Sequence, residues 1–214
     1  MRIGVVADTH VGEALPELPR RVLELLRGVD LILHAGDLTD RSVIRELSRI
    51  APVHAVQGDH DLDGGIVLPR ALVVRAGGHR IGLTHGRRTR LIELPAAVAS
   101  LLAGRTVLLG FHRSIRRRFG RVDCVVYGHL HIPHRGWRRG VLYFSPGAVM
   151  VPEDDEGYDR HRLRARAYLR FRRGLPPDAR RASIGILEAG PSGLSARILP
   201  LSDEAGARDQ ETMI

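Results

Sequence analysis

The chain contains no lysine and no asparagine, only one cysteine, and few aromatic residues, 4% of the total. Each shortage excludes something. A single thiol, Cys124, cannot build a disulfide framework or a cysteine-rich zinc site. Its place in the apolar run Val122–Val126 reads as a buried, inert side chain. So small an aromatic complement gives little support to a module that stacks nucleic-acid bases, although Trp137 and Phe119 stand near arginines. No apolar run approaches the roughly 18 residues of a membrane span, and Asp8 interrupts the stretch from Met1 before a signal-peptide core can form. The expectations are no membrane contact and a cytoplasmic location.

Without lysine, all 33 basic residues are arginine, and the formal charge is +9, which favours anionic partners or substrates. Lysine and asparagine share codons that begin with two adenines, so a GC-rich genome accounts for losing both. Recoding is one alternative, and a hot habitat, which disfavours labile asparagine, is another. The charge is therefore weaker evidence for nucleic-acid binding than its size suggests.

What remains is ordinary for a globular domain: 214 residues, 43% hydrophobic and 27% charged, enough for one sizeable core. Short apolar runs alternate with helix-like stretches, the pattern of an α/β protein. Strands are expected at Ile3–Ala7, Leu31–Leu33, Val53–Val56, Val122–Val126 and Val141–Phe144. Leu18, Val22, Leu25 and Leu26 recur at helical spacing between Pro16 and Gly28, and Val43, Ile44 and Leu47 mark a second helix. A third helix is expected over Leu91–Leu102. Gly77-Gly78 predicts a hairpin between Leu72–Arg75 and Arg80–Leu83, and a last hairpin joins Ile184–Leu187 to Leu194–Leu199. One domain over 1–200 carries arginine-rich insertions at about 105–121 and 151–181, and 201–214 reads as a polar tail. Within the insertions, Arg113, Arg116, Arg117, Arg118 and Arg121 cluster, and arginines alternate with apolar residues over 160–173. A solvated charged face is the preferred reading of both runs, ahead of a binding surface.

Five short patterns close predicted strands: Asp8-Thr9-His10, Gly36-Asp37-Leu38-Thr39-Asp40, Gly58-Asp59-His60-Asp61, Thr84-His85-Gly86 and Gly128-His129-Leu130-His131. Loops at the carboxyl ends of strands converge on one crevice in α/β sheets, so these residues can meet there. Carboxylates and imidazoles together suit manganese, iron, zinc or nickel. Glycines beside them permit sharp turns and close approach.

In this order the set resembles the calcineurin-like metallophosphoesterase signature: D-x-H, G-D-x-x-D, G-N-H-D/E, a single H-G, then G-H-x-H. The resemblance covers residues 1–149, resumes in the hairpin 183–200, and is nearest the small prokaryotic phosphodiesterase branch. It implies two packed β-sheets flanked by helices, a four-layer αββα fold. It also implies a two-metal centre: Asp8, His10 and His131 on one ion, Asp59, His85 and His129 on the other, Asp37 between them. The implied cofactors are two divalent transition-metal ions, manganese first, with nickel, zinc, iron or magnesium as alternatives. His60 would contact the phosphoryl group or protonate the leaving alkoxide, while Asp40 and Asp61 would orient ligands. His134 is left between the pocket rim and a structural place.

The sequence departs from the family twice. Asp59 replaces the asparagine of the third motif, and Ser145 replaces the asparagine usual before Pro-Gly. Both fit a chain without asparagine, but Asp59 adds a negative charge where the family has a neutral carbonyl, which should slow attack on an anionic ester. The implied function is hydrolysis of phosphodiesters, with phosphomonoesters close behind. The alternatives are a catalytically silent interaction scaffold, as in the retromer subunit that resembles this family, and a nuclease using the arginine-rich insertions. A phosphate ester is the expected partner; nucleic acid and a homodimer stay open.

Overall fold

The structure, a computed structural model, describes residues 1–88, 95, 98–100, 110–151 and 173–202. The expected helix over 91–102, the alternating run over 160–173 and the tail from 203 therefore lie wholly or largely outside the described residues.

Among the described residues, ten strands form two five-stranded mixed sheets. One takes β1 (Arg2–Val6), β2 (Leu31–His34), β3 (Val53–Ala55), β9 (Ser183–Gly190) and β10 (Gly193–Pro200) in the order β10-β9-β1-β2-β3. The other takes β4 (Ala71–Ala76), β5 (His79–Thr84), β6 (Cys124–Tyr127), β7 (Pro133–Arg138) and β8 (Val141–Pro146) in the order β4-β5-β6-β8-β7. The pairs β1–β2, β2–β3, β5–β6 and β6–β8 are parallel, and the hairpins β4–β5, β7–β8 and β9–β10 supply antiparallel edges.

The central strands are apolar on both faces because each face is covered. Side chains alternate across a strand, so Ile3, Val5, Leu31 and Leu33 point to one side and meet Ile81, Leu83, Cys124, Val126, Leu142 and Phe144 of the facing sheet. That is the core between the sheets, and it holds the lone cysteine as a buried thiol. The alternate residues Val6 and Ile32 turn outward and pack under α1 (Arg20–Leu25) and α2 (Ser42–Leu47) with Val22, Leu26, Val43 and Leu47. On the far side Val125, Tyr127 and Tyr143 pack against Phe111 and Ile115 of α3 (Phe111–Arg116) and Phe119 beyond it. The result is helix, sheet, sheet, helix, as the resemblance implied.

The strand β7 has no counterpart in the sequence reading. It begins at a proline, carries two arginines and a glycine, and pairs only with β8. A polar edge strand lacks the apolar alternation that marks a buried one.

Candidate metal centre

The parallel strands all run toward one end of the two sheets, and there the five motifs meet. Asp8 and His10 follow β1, Asp37 follows β2, Asp59 and His60 follow β3, His85 follows β5, and His129 and His131 follow β6. The loop after β8 stitches this end together, since the amides of Val149 and Met150 donate to the carbonyls of Ala7 and Asp8.

Ligand-capable atoms gather in two trios, Asp8 with His10 and His131, and Asp59 with His85 and His129. Within each trio they lie within 4.8 Å of one another. Asp37 reaches toward both: its Oδ2 is 3.7 Å from His10 Nε2 and 3.3 Å from His85 Nε2. The same two nitrogens, together with His131 Nδ1, are buried without a hydrogen-bond partner. For His10 and His85 the opposite nitrogens explain why. His85 Nδ1 donates to the Ala35 carbonyl at 2.9 Å, and His10 Nδ1 donates to Glu13 Oε2 at 3.0 Å. A neutral imidazole that spends its proton on one side presents a lone pair on the other, the form that binds a cation.

The electrostatics agree with a cation's place. Burial pushes the Asp8 carboxyl up to about 6, partly opposed by His85. Burial also resists ionisation of Asp37, but His85, the His60 amide and His10 outweigh it and hold that carboxyl below the usual range. For His85 burial disfavours the proton, yet Asp37 and Asp8 raise its pKa. His131 is driven by burial down to about 3 and is neutral. Buried carboxylates that find only imidazoles as counter-charges, and imidazole nitrogens that find no donor, are what a divalent ion would satisfy together.

The backbone is unusual here. Seven non-glycine residues have positive φ among those described, and five are Asp8, His10, Asp37, His129 and His131, at 46–72°. Left-handed conformation costs an L-residue about 1–2 kcal/mol, less for aspartate, and such strain persists where function demands it. Two glycines serve different ends. Gly36 turns at φ 95°, whereas Gly58 gives close approach, since a Cβ there would stand 2.1 Å from Asp37 Oδ1.

Asp61 is fully buried, and its carboxylate accepts from four backbone amides, those of Asp37, Leu38, Thr39 and Gly58, at 2.6–3.1 Å. It clamps the Asp37 loop onto the Asp59 loop. Asp40 does not match the expectation of orienting a ligand. It is exposed, and its Oδ1 accepts from the Ser42 amide at 2.6 Å, where it starts α2. His60 is about half exposed, its amide donates to Asp37 Oδ1 at 2.9 Å, and its Nδ1 donates to Glu13 Oε1 at 2.9 Å. His134 turns away from the centre, its Nδ1 2.8 Å from the Tyr127 hydroxyl on the outer face of the second sheet.

Three residues of this site were not read from sequence. Glu13 holds both His10 and His60. It is the first carboxylate after Asp8-Thr9-His10, three residues beyond His10, which is the signal that could have found it. His34 is fully buried and pushed by burial down to about 3; its Nε2 lies 3.3 Å from Thr9 Oγ1 and its Nδ1 accepts from the Gly36 amide at 3.2 Å. It braces the first two motif loops, which a histidine inside an apolar strand hinted at. Arg87 donates from Nη1 to Asp59 Oδ1 at 3.0 Å. Asp59 turns its other oxygen to the centre, 3.2 Å from His129 Nδ1 and 3.9 Å from His85 Nε2.

Comparison with known proteins agrees with this geometry. Residues 1–164 match the calcineurin-like phosphoesterase superfamily domain. A Methanothermobacter thermautotrophicus protein named "Probable metallophosphoesterase" is 34% identical over 152 residues, 71% of this chain and 79% of that protein. Among solved structures, Vacuolar Protein Sorting 29 of Cryptosporidium parvum superposes with a TM-score of 0.62 at 21% identity, covering 94% of this chain and 98% of that one. A structure described as a novel archaeal phosphodiesterase gives 0.53 at 22% identity, covering 93% and 100%.

Proposed function

The chain belongs to the calcineurin-like phosphoesterase superfamily, and from that membership we propose that it hydrolyses phosphodiesters using two metal ions, manganese foremost. The carrying observation is the pair of ligand-capable trios joined by Asp37, with unpartnered imidazole nitrogens turned inward. Asp8, His10 and His131 would hold one ion, Asp59, His85 and His129 the second, and Asp37 both. Bound there, two such ions supply an acidified water and a clamp for the oxygens of an in-line displacement.

The remaining chemistry falls to the chain itself. His60, with Nδ1 held by Glu13, keeps Nε2 for the substrate and passes a proton to the departing alkoxide. Its amide, bonded to Asp37 Oδ1, fixes the bridging carboxylate at the same time. Asp61 holds the amides of both loops so that Asp37 and Asp59 keep their separation. The scaffold alternative loses ground because each of the seven positions retains a side chain able to ligate.

Metal-free protein loaded with single metals and assayed on bis(4-nitrophenyl) phosphate and 4-nitrophenyl phosphate tests the reading. Hydrolysis is expected with manganese, faster on the diester, with two ions per chain by elemental analysis. Asp37→Ala is expected to lose both ions and the activity. No turnover with any metal, or full metal content in Asp37→Ala, would overturn the proposal.

A further inference from the structure

The turn after the first motif closes on itself. The amides of Glu13, Ala14 and Leu15 all donate to the His10 carbonyl at 2.9–3.3 Å, and the Gly12 amide donates to the Leu15 carbonyl at 2.7 Å. Gly12 makes the bend at φ 84°. So tight a closure carries the Glu13 side chain back over the His10 ring. Its carboxylate then spans two loops. Oε2 stands 3.0 Å from His10 Nδ1, and Oε1 stands 2.9 Å from Nδ1 of His60, 47 residues along the chain. The two rings meet edge to face with centroids 5.0 Å apart.

A carboxylate only accepts hydrogen bonds, so each of these contacts fixes a proton on Nδ1. That reverses the habit of a histidine without a partner, whose neutral ring carries its proton mainly on Nε2. The partner of one ring nitrogen decides the state of the other. At His10 the reversal matters because Nε2 is the nitrogen turned toward Asp37, buried and without a hydrogen-bond partner. At His60 the bond ties down one edge of a half-exposed ring and leaves Nε2 as the other. Serving both rings takes two acceptor atoms on one side chain. Glutamate has them, whereas glutamine has one oxygen and would turn an N–H toward the second ring.

We propose that Glu13 is a positioning residue shared by metal binding and catalysis: one carboxylate sets the tautomer of a ligand of the first ion and the orientation of the group that faces the ester. The inference rests on the phosphoesterase reading, which gives His10 an ion and His60 a substrate. Glu13, His10 and His60 also have the spacing of a metal-binding group. Both contacts are nonetheless at hydrogen-bond distance, and a third ion would need the very nitrogens that these bonds occupy. The turn itself is closed by backbone bonds, so residue 13 can be changed without opening it.

Three measurements on the full chain test this. Proton–nitrogen NMR of the histidine rings in metal-free protein, under mildly alkaline conditions, reads which nitrogen carries the proton; the signals are assigned by their loss in His10→Gln and His60→Gln. Both rings are expected to carry it on Nδ1. In Glu13→Ala both should drift toward Nε2, and in Glu13→Gln only one should. Calorimetric titration with manganese should show the tighter binding of one ion weakened about 10- to 100-fold in Glu13→Ala and the other ion unaffected. At saturating manganese, kcat of Glu13→Ala should fall about 10-fold further on diphenyl phosphate than on bis(4-nitrophenyl) phosphate, whose leaving group needs little help. Altered tautomers with weakened manganese binding support the proposal even in protein that cleaves no ester, so the phosphoesterase reading can fail separately. Unchanged tautomers in Glu13→Ala, an equal fall in kcat on both esters, or a third ion that disappears with the carboxylate would overturn it.

Discussion

Asp59 carries a charge that, read from sequence, should slow attack on an anionic ester. The structure places its answer two residues beyond His85. Arg87 holds Oδ1 at 3.0 Å, while Oδ2 turns to the trio. The carboxylate and guanidinium together present one oxygen and no net charge, much as a neutral carboxamide does. Burial alone would raise the Asp59 pKa, but His129, His85 and Arg87 lower it, so the carboxylate is ionised and pairing is what neutralises it. With Arg87 half exposed, the pair adds little to stability, and its effect belongs to the site. Arg87→Gln is expected to lower kcat/KM on a small diester roughly tenfold, and Asp59→Asn in that background to recover most of the loss. Such a cycle isolates coupling; effects that simply add would show the two side chains acting independently. The residues that gather at this end and the order of their motifs were legible at this scale because a metal site would constrain their chemistry. Glu13, His34 and Arg87 were not, because each acquires its partner only when separate loops meet.

At the scale of elements, the pattern of short apolar runs and glycine-bearing turns identified the buried strands and the hairpins β4–β5 and β9–β10. It missed β7, which buries little, and it could not separate the arginines of 111–121. Arg116 and Arg118 are two residues apart, yet one closes the turn after α3 and the other reaches Thr84 at the end of β5. Arg116→Ala is therefore expected to remove about 1–2 kcal/mol, a fall in Tm of roughly 2–8 °C for a chain of this size. The salt dependence of KM should stay as it was. Thermal melts showing no change, with KM altered, would place Arg116 on the substrate's path.

The whole molecule depends on its centre in a way no single motif reveals. Asp8, Asp37 and Asp59 come from the first sheet, and His85, His129 and His131 from the second. An ion bound by such a set fastens sheet to sheet at one end, adding to the core between them. With metal at about a thousandfold over its dissociation constant, linkage gives roughly 4 kcal/mol. Chelation is then expected to lower Tm by about 8–16 °C. In Asp37→Ala chelation should have almost no further effect. A melting curve indifferent to chelator in the wild type would mean that no ion braces the two sheets at this end. The sequence announced alternating elements and a crevice but not the order of strands, since β9 lies beside β1 through contacts between distant parts of the chain.

The five left-handed residues of the centre have a historical consequence. At about 1 kcal/mol apiece, they withhold an amount comparable to much of the net stability of an ordinary domain, about 5–15 kcal/mol. Glycine at Asp8, His10, Asp37, His129 or His131 would release part of that, so random drift in a lineage that no longer used the site would be drawn toward glycine there. A chain with aspartate and histidine in all five places stands short of its own most stable sequence.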